Sequence, residues 1–306
     1  MQVVELNSFE FVRVSGPDTI EFLQGQLTCN MEALSHEKSL DGALCNLKGR
    51  VIADFQIALQ QEDCILRTTG STSQALLTTL SKYAVFSKVE LGNDEQNVRA
   101  FGFLGADSTD FLIGKFNSLP EHANDSVSIP SGILLRLPGD IPRFELWCTD
   151  AELSTEIERE FTIDSDLSNW HRQDVKAGII HVDSSASEEY TPQLLNYDLS
   201  GIIDFNKGCY TGQEVVARMF YRGKPKKRLY LLAGPELIDA NEELQQLEGE
   251  GVKTAEVMTV SNNTTDSGEP NLVLAILNTS AVENQANFAF SSKPESFLQL
   301  QSLPYT

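Results

Sequence analysis

Positive charge is scarce in this chain. Its 306 residues include 23 Lys and Arg against 44 Asp and Glu, which gives a formal net charge of −21. A protein that wraps nucleic acid neutralises phosphates with lysine and arginine, so the composition argues against direct nucleic-acid binding. A small ligand or a protein partner is the better expectation.

Long hydrophobic runs are also missing. The longest fully apolar stretches, such as Leu272 to Leu277, are far shorter than the roughly 20 residues that cross a bilayer. The first residues lack the basic and apolar regions of a secretory signal. We therefore expect a soluble, cytoplasmic protein that does not interact with membranes.

Cysteine and histidine are few and scattered. The five cysteines form no Cys-x-x-Cys pair, and the four histidines include no pair at i, i+4 spacing. This pattern is typical of reduced thiols and not of a disulfide framework or a structural zinc site. We expect no metal site built from this chain alone.

The hydrophobic content, by contrast, is that of a globular protein. Hydrophobic residues make up 41% of the chain, and its length favours more than one folded unit. Strand-like and helical patterns mix without strict alternation, which favours an α+β fold. Alternating apolar residues predict that strand 51–59 is buried on one face only. The other predicted strands are 9–14, 98–104 and 143–149, and the predicted helices are 15–26, 73–83, 108–116, 151–161, 168–180 and 214–220.

The pattern changes in the last quarter of the chain. Short strand candidates at 229–233, 253–260, 272–277 and 287–290 are separated by turns rich in Gly, Asn and Ser. They indicate a small antiparallel barrel or sandwich. We predict an α+β region over 1–222 and this barrel over 223–306.

The most unusual chemistry lies in Lys207-Gly-Cys-Tyr-Thr-Gly-Gln-Glu214. The two glycines permit tight bends and close approach of a ligand. Cys209 precedes a helical stretch, and a helix N-terminus favours an anionic, reactive thiol. The alternative is a buried cysteine in a well-packed turn, because free cysteine is among the most buried residue types. The residues alone leave both interpretations open.

Two aromatic residues and one basic run are further candidates. Trp170 and Phe9 could each stack on a flat heterocycle, although an aromatic side chain at such a position more often belongs to the core. Five cations stand within the seven residues from Arg222 to Arg228. In so acidic a chain they could bind an anionic ligand tail, although a solvated linker is the ordinary interpretation.

The motif at 207–214 resembles the signature of the YgfZ family of folate-binding proteins, whose mitochondrial relatives are the Iba57 proteins. The resemblance extends over nearly the whole chain. It also includes the segments Gln24-Gly-Gln-Leu-Thr28, Lys82-Tyr-Ala-Val-Phe-Ser-Lys-Val89, Pro192-Gln193 and Leu303-Pro-Tyr305.

The resemblance implies a fold similar to the aminomethyltransferase (T-protein) of glycine cleavage. In that fold three subdomains, two of them intertwined here within 1–222, form a ring around a central folate cavity, and the last is a small β-barrel. It further implies a tetrahydrofolate or other reduced folate as cofactor, and iron–sulfur assembly or client proteins as partners, with a role in tRNA modification. Cys209 and Lys207 would be the functional pair. The folate-binding residues would be Phe9, Trp170, Gln193, Tyr210, Gln213 and Arg222.

Two alternatives stay open. A genuine aminomethyltransferase would carry an Asn…Gly…Asp-Asp segment, whereas here the similar stretch from Asn46 to Asp54 has Ala53 in place of one acid. Losing that carboxylate removes a charge that would stabilise the reacting cation. T-proteins also lack the thiol that corresponds to Cys209. A folate-sensing adaptor without chemistry of its own is compatible with every residue named.

Overall fold

The computed structural model describes residues 1–94, 98–248, 251–263 and 268–306. The chain divides into two compact units, each assembled from separate stretches of sequence. The first comprises Met1–Leu167, His181–Thr191 and Gly201–Ala217, and the second Ser168–Ile180, Pro192–Ser200 and Arg218–Thr306. The domain boundary predicted after residue 222 stays a prediction.

The elements are numbered in chain order. The strands are β1 Gln2–Glu5, β2 Phe9–Ser15, β3 Leu40–Cys45, β4 Val51–Gln60, β5 Asp63–Thr69, β6 Glu90–Asn93, β7 Arg99–Leu104, β8 Ser126–Ile129, β9 Gly132–Arg136, β10 Arg143–Cys148, β11 Lys227–Gly234, β12 Leu244–Glu248, β13 Gly251–Ser261, β14 Asn271–Asn278, β15 Asn287–Phe290 and β16 Gln299–Gln301. The helices are α1 Thr19–Gln24, α2 Ser73–Tyr83, α3 Asp107–Phe116, α4 Ala151–Glu160, α5 Ser168–Ala177, α6 Gln213–Arg222 and α7 Thr279–Glu283. Short 3-10 helices span Met31–Ala33, Ala84–Phe86 and Pro192–Leu195.

The first unit contains an antiparallel sheet in the order β3-β4-β5-β2-β6 whose two faces differ sharply. One face joins helices α1 and α2 in a hydrophobic cluster, which includes Leu66 of β5 and Leu76 of α2. Successive side chains of a strand point to opposite faces, so Arg67, the residue after Leu66, lies on the other face of the sheet. Strand β4 is buried on both faces, so the prediction of a half-buried strand there was wrong.

A second antiparallel sheet in the first unit runs in the order β1-β7-β10-β9-β8. Its apolar cluster includes Leu112 of α3 and Ile157 of α4. Trp147 of β10 meets Phe11 of β2 edge to face, with ring centroids 5.5 Å apart. This contact brings side chains of β10 against the charged face of the first sheet, where the candidate site is built.

The second unit is built on a six-stranded antiparallel sheet in the order β15-β12-β13-β14-β11-β16. Apolar residues from these strands form its core, and helix α5 packs against β13 and β14. The closing Leu303-Pro-Tyr305 segment lies against the end of α5, where the Tyr305 hydroxyl donates to the carbonyl of Gly178 at 2.9 Å. Gly178 has a φ of +67°, and a Cβ there would meet the Tyr305 hydroxyl at 2.5 Å. This close approach explains a glycine at that position.

Most predicted elements are confirmed within a few residues, including the helix at 73–83 and the strand at 143–148. Eight strands were not predicted, namely β1, β3, β5, β6, β8, β9, β12 and β16. Strand β12, for example, has a Leu-Gln-Gln-Leu pattern that lacks the β-branched residues typical of strands. None of the helices in the described residues is long and apolar enough to span a membrane.

Candidate functional site

Lys207 is a buried clamp between two segments that lie about 180 positions apart in sequence. Its ammonium group donates to the backbone carbonyls of Gln24 at 2.8 Å, Leu27 at 2.5 Å and Cys29 at 2.7 Å. An ammonium group has three N–H donors, so these three carbonyls match its full donor capacity. Burial lowers the pKa of Lys207 to about 8. This geometry favours a positioning role for Lys207, and its predicted catalytic role stays a prediction.

The rest of the motif is fastened to the same segment. The Thr211 hydroxyl donates to the Gln26 side chain at 2.8 Å, and the Thr211 amide donates to the carbonyl of Gly25 at 3.2 Å. Gly212 has a φ of +84°, and a Cβ on it would collide with the carbonyl of Asn46. The motif at 207–214 therefore binds the Gln24–Thr28 segment, and two stretches that carry the YgfZ resemblance form one structural feature.

Cys209 stands apart from the other cysteines. It is exposed, whereas Cys29, Cys45, Cys64 and Cys148 are buried. Burial raises the pKa of each buried thiol to about 12. The turn places Cys209 in solvent because Lys207 and Thr211 on either side of it are held by the Gln24–Thr28 segment. The interpretation of Cys209 as a buried packing residue was therefore wrong.

Tyr210 and Gln213, two predicted folate contacts, belong to the same motif. The Tyr210 ring lies 5.3 Å from the Lys207 ammonium group. Burial raises the pKa of the Tyr210 hydroxyl, for which no residue in the described part of the chain is a hydrogen-bond partner. Gln213 is half-buried as the first residue of α6. The structure joins Tyr210 to Lys207, and the contact of both residues with folate stays a prediction.

Phe9 lies in a cluster of charged side chains on the other face of the first sheet. The guanidinium carbon of Arg67 is 3.9 Å from the centre of the Phe9 ring, and the His181 ring meets Phe9 edge to face at 5.7 Å. Arg67 also forms an ion pair with Glu145 at 3.3 Å. Because Arg67 covers one face of Phe9, a stacking ligand could use only the opposite face.

Asp54 fixes the position of His181. One carboxylate oxygen of Asp54 lies 2.7 Å from Nδ1 of His181, and the other accepts from the Val182 amide at 2.6 Å. Ala53, the position where the T-protein pattern has a second acid, lies in the hydrophobic cluster on the opposite face. An acid at position 53 would be buried among apolar side chains, so a second carboxylate there would not reach the Phe9 side of the sheet.

The remaining predicted site residues belong to the second unit. Trp170 of α5 and Gln193 are each 1% exposed, whereas Arg222 at the end of α6 is exposed. In the basic run, Arg228 forms a two-point ion pair with Asp198 at 2.8 and 2.7 Å, and Lys224, Lys226 and Lys227 are exposed. The folate contacts of Trp170, Gln193 and Arg222 stay predictions. The guanidinium of Arg228 is already paired with Asp198.

Sequence reasoning missed Arg67, Glu145 and His181. A signal for Arg67 was available, because it directly follows the apolar run Cys64-Ile-Leu within a strand-like segment and buried arginine is rare without a partner. No comparable local signal marks His181, which is brought to Asp54 from 127 positions away. The described residues contain no group of three or more His, Cys, Asp or Glu side chains that could hold a metal ion.

Comparison with known proteins gives the fold. No family model matches the chain. The glycine cleavage system aminomethyltransferase T from Bartonella henselae matches with a TM-score of 0.81 at 16% identity, covering 100% of this chain and 86% of that one. This chain has the aminomethyltransferase T fold. A heterotetrameric sarcosine oxidase from Corynebacterium covers 47% of this chain and 73% of its own at 14% identity, with a TM-score of 0.34 that is too low to carry an argument.

Proposed function

We propose that this protein binds a reduced folate and supports the assembly or repair of iron–sulfur enzymes, and through them tRNA modification. The observation that carries the proposal is the motif turn, in which Lys207 and Thr211 are held in place and Cys209 between them is exposed. An exposed thiol on a fixed turn is suited to contact a partner protein. Folate binding is supported by the aminomethyltransferase T fold together with the YgfZ resemblance. We propose that the protein acts in the cytoplasm as an accessory factor.

The aromatic and charged cluster around Phe9 fits a pterin. A flat heterocycle with carbonyl and amino groups needs an apolar ring face and polar partners, and ligand sites commonly combine the two. Phe9 provides the ring, while Arg67 and the His181–Asp54 pair provide polar groups. This combination supports folate as the cofactor, and the three-subdomain ring with a central folate cavity remains part of the proposal.

The alternative of a glycine-cleavage aminomethyltransferase is less well supported. Its chemistry would need a carboxylate that faces the reacting cation. Here both oxygens of Asp54 already have partners, at His181 and at the Val182 amide. The exposed Cys209 would also have no role in that reaction. A folate-sensing adaptor differs from our proposal only in whether Cys209 is required.

Trp170→Ala is expected to weaken tetrahydrofolate binding about tenfold, because the ligand would lose a stacking partner worth roughly 0.5–1.5 kcal/mol beyond the buried area. Titration calorimetry measures the affinity, and circular dichroism checks that the fold is retained. Phe111→Leu, a change of a half-buried aromatic residue in the apolar cluster of the second sheet, is the control and should leave the affinity unchanged. Equal affinities for the parent and Trp170→Ala would remove Trp170 from the site and leave it as a core residue.

Arg222→Gln is expected to reduce the preference for folate with a polyglutamate tail. Charge-assisted contacts to carboxylates are strong hydrogen bonds, and exposed contacts weaken as salt rises. The parent should therefore bind triglutamyl folate more tightly than the monoglutamate at low salt, with a smaller advantage at high salt. Arg228→Gln disrupts the pair with Asp198 and serves as the structural control. If the parent binds triglutamyl folate and the monoglutamate with equal affinity, the basic run is a solvated linker.

A further inference from the structure

The guanidinium group of Arg67 is buried, and most of its hydrogen-bonding capacity is unmatched among the residues that the structure describes. Its side chain is 7% exposed, and Glu145 is its ion-pair partner at 3.3 Å. This ion pair runs from Nε to Oε2 of Glu145 without the geometry of a hydrogen bond, so the donors left for a ligand are those of the two terminal nitrogens. A guanidinium has five N–H donors, and buried polar groups in proteins nearly always find partners. An acceptor supplied from outside the chain would satisfy this requirement.

The surroundings of Arg67 indicate what kind of acceptor fits. Phe9 lies against the guanidinium, and the imidazole of His181 meets the edge of the same ring. An aromatic ring beside unmatched donors is suited to a flat heterocycle that carries an oxygen. Arg67 covers one face of Phe9, and the ring itself separates the other face from the guanidinium. Such a ligand would therefore lie beside the edge of Phe9 and meet Arg67 through an edge group.

The local charge favours a neutral acceptor over an anion. Glu145 pairs with Arg67, and Asp41 interacts electrostatically with Arg67, His181 and Asp54. Three carboxylates thus surround one guanidinium and one imidazole, so a further carboxylate would be repelled. A ring carbonyl brings an oxygen acceptor without another negative charge.

We infer that Arg67 is a specificity-determining residue that donates to the ring carbonyl of a bound pterin. This inference rests on the proposed folate binding and adds the group of the ligand that is recognised. The Arg67–Glu145 pair and the Phe9 ring hold the guanidinium so that its free N–H donors face that carbonyl. The ligand class is then an oxopterin. A pterin with an amino group in place of the carbonyl would place its N–H donors against the N–H donors of Arg67, and no hydrogen bond would form.

The test compares tetrahydrofolate with tetrahydroaminopterin, in which an amino group replaces the ring carbonyl. Titration calorimetry should give the parent about a tenfold or greater preference for tetrahydrofolate, because a site built to donate to an oxygen rejects an analogue that lacks it. Arg67→Met should bring the two affinities within about threefold of each other. A merely structural Arg67 would lower both affinities together and leave their ratio unchanged, which would overturn the inference.

Additional variants keep the result interpretable. Arg67→Met leaves Glu145 as a buried unpaired charge, which is strongly destabilising, so the double variant Arg67→Met with Glu145→Gln removes that charge. The two variants should lose the preference alike. Arg13→Met is the matched control, because Arg13 lies in the same sheet with its guanidinium paired to Asp63 and Asp94, and it should keep the parental ratio.

A further experiment distinguishes whether Arg67 recognises the ring carbonyl or an oxygen of the glutamate tail. Tetrahydropteroate lacks the glutamate, and its loss of affinity relative to tetrahydrofolate should be equal in the parent and in Arg67→Met. If that loss instead disappears in the variant, Arg67 recognises the tail, and the ring-carbonyl inference is overturned. A parent that binds tetrahydrofolate without preferring it over tetrahydroaminopterin overturns this inference alone. A parent that binds neither folate overturns the proposed function as well.

Discussion

Cys209→Ser is expected to keep the fold and the folate affinity and yet fail to restore iron–sulfur enzyme activity in cells that lack the protein. Cys209 is exposed, and surface substitutions usually change stability by no more than about 0.5 kcal/mol. Any loss of activity would therefore come from the missing thiol. The measurement is the activity of an iron–sulfur enzyme in extracts of complemented cells, at matched protein levels.

Cys64→Ser is the matched control for the cysteine change. Cys64 is fully buried in the hydrophobic cluster of the first sheet, so a serine hydroxyl there would lower the free energy of unfolding by about 1–3 kcal/mol. The fraction of the Cys64→Ser protein that remains folded should still restore iron–sulfur enzyme activity in the cells. If Cys209→Ser complements fully, the thiol has no function, and the folate-sensing adaptor becomes the better explanation.

Alkylation gives an independent measurement of the same thiol. Brief treatment of the folded protein with iodoacetamide, followed by peptide mass spectrometry, should label Cys209 first. The four buried cysteines have pKa values raised to about 12 and require opening of the structure before they react. Their labelling should be at least about a hundredfold slower, because the reactive species is an accessible thiolate.

The sequence predicted the secondary structure well where periodicity was strong. The helix at 73–83 and the strand at 143–148 show repeating apolar patterns, and these patterns arise from the burial that stabilises each element. Strand β4 was misjudged because its polar side chains are buried and not solvent-exposed. Asp54 pairs with His181, and Gln56 donates to the Ser39 hydroxyl at 3.3 Å. A local pattern cannot distinguish a polar residue in water from one in a buried network.

The candidate site was predictable only in part for the same reason. The motif at 207–214 could be recognised from its amino-acid sequence. The exposure of Cys209 agrees with the interpretation of this residue as a reactive thiol. The sequence could not predict that Lys207 donates hydrogen bonds to backbone carbonyls of residues 24–29. Every residue has a backbone carbonyl, so residue identity does not indicate which carbonyls accept. The Asp54–His181 pair likewise depends on tertiary folding that brings distant residues together.

Lys207→Met is expected to lower the free energy of unfolding by about 3 kcal/mol, the scale of losing charge-assisted hydrogen bonds that leave buried acceptors unmatched. The variant keeps the length of the side chain but removes all three donors to Gln24, Leu27 and Cys29. Urea unfolding measures the change. Lys224→Met, a change at an exposed lysine of the basic run, should alter stability by less than about 0.5 kcal/mol.

The pH dependence of this loss tests whether burial or the three carbonyl acceptors has the larger effect on the Lys207 proton. Burial lowers the pKa of Lys207 from 10.5 to about 8 in the folded chain. Between these two pH values the unfolded chain binds more protons at this lysine, so its contribution to the free energy of unfolding rises with pH. The stability difference between the parent and Lys207→Met should therefore be constant below about pH 8 and grow above it, while the titrating cysteines common to both proteins largely cancel. A difference that shrinks as the pH rises would mean that the three carbonyl acceptors hold the proton more strongly than burial releases it.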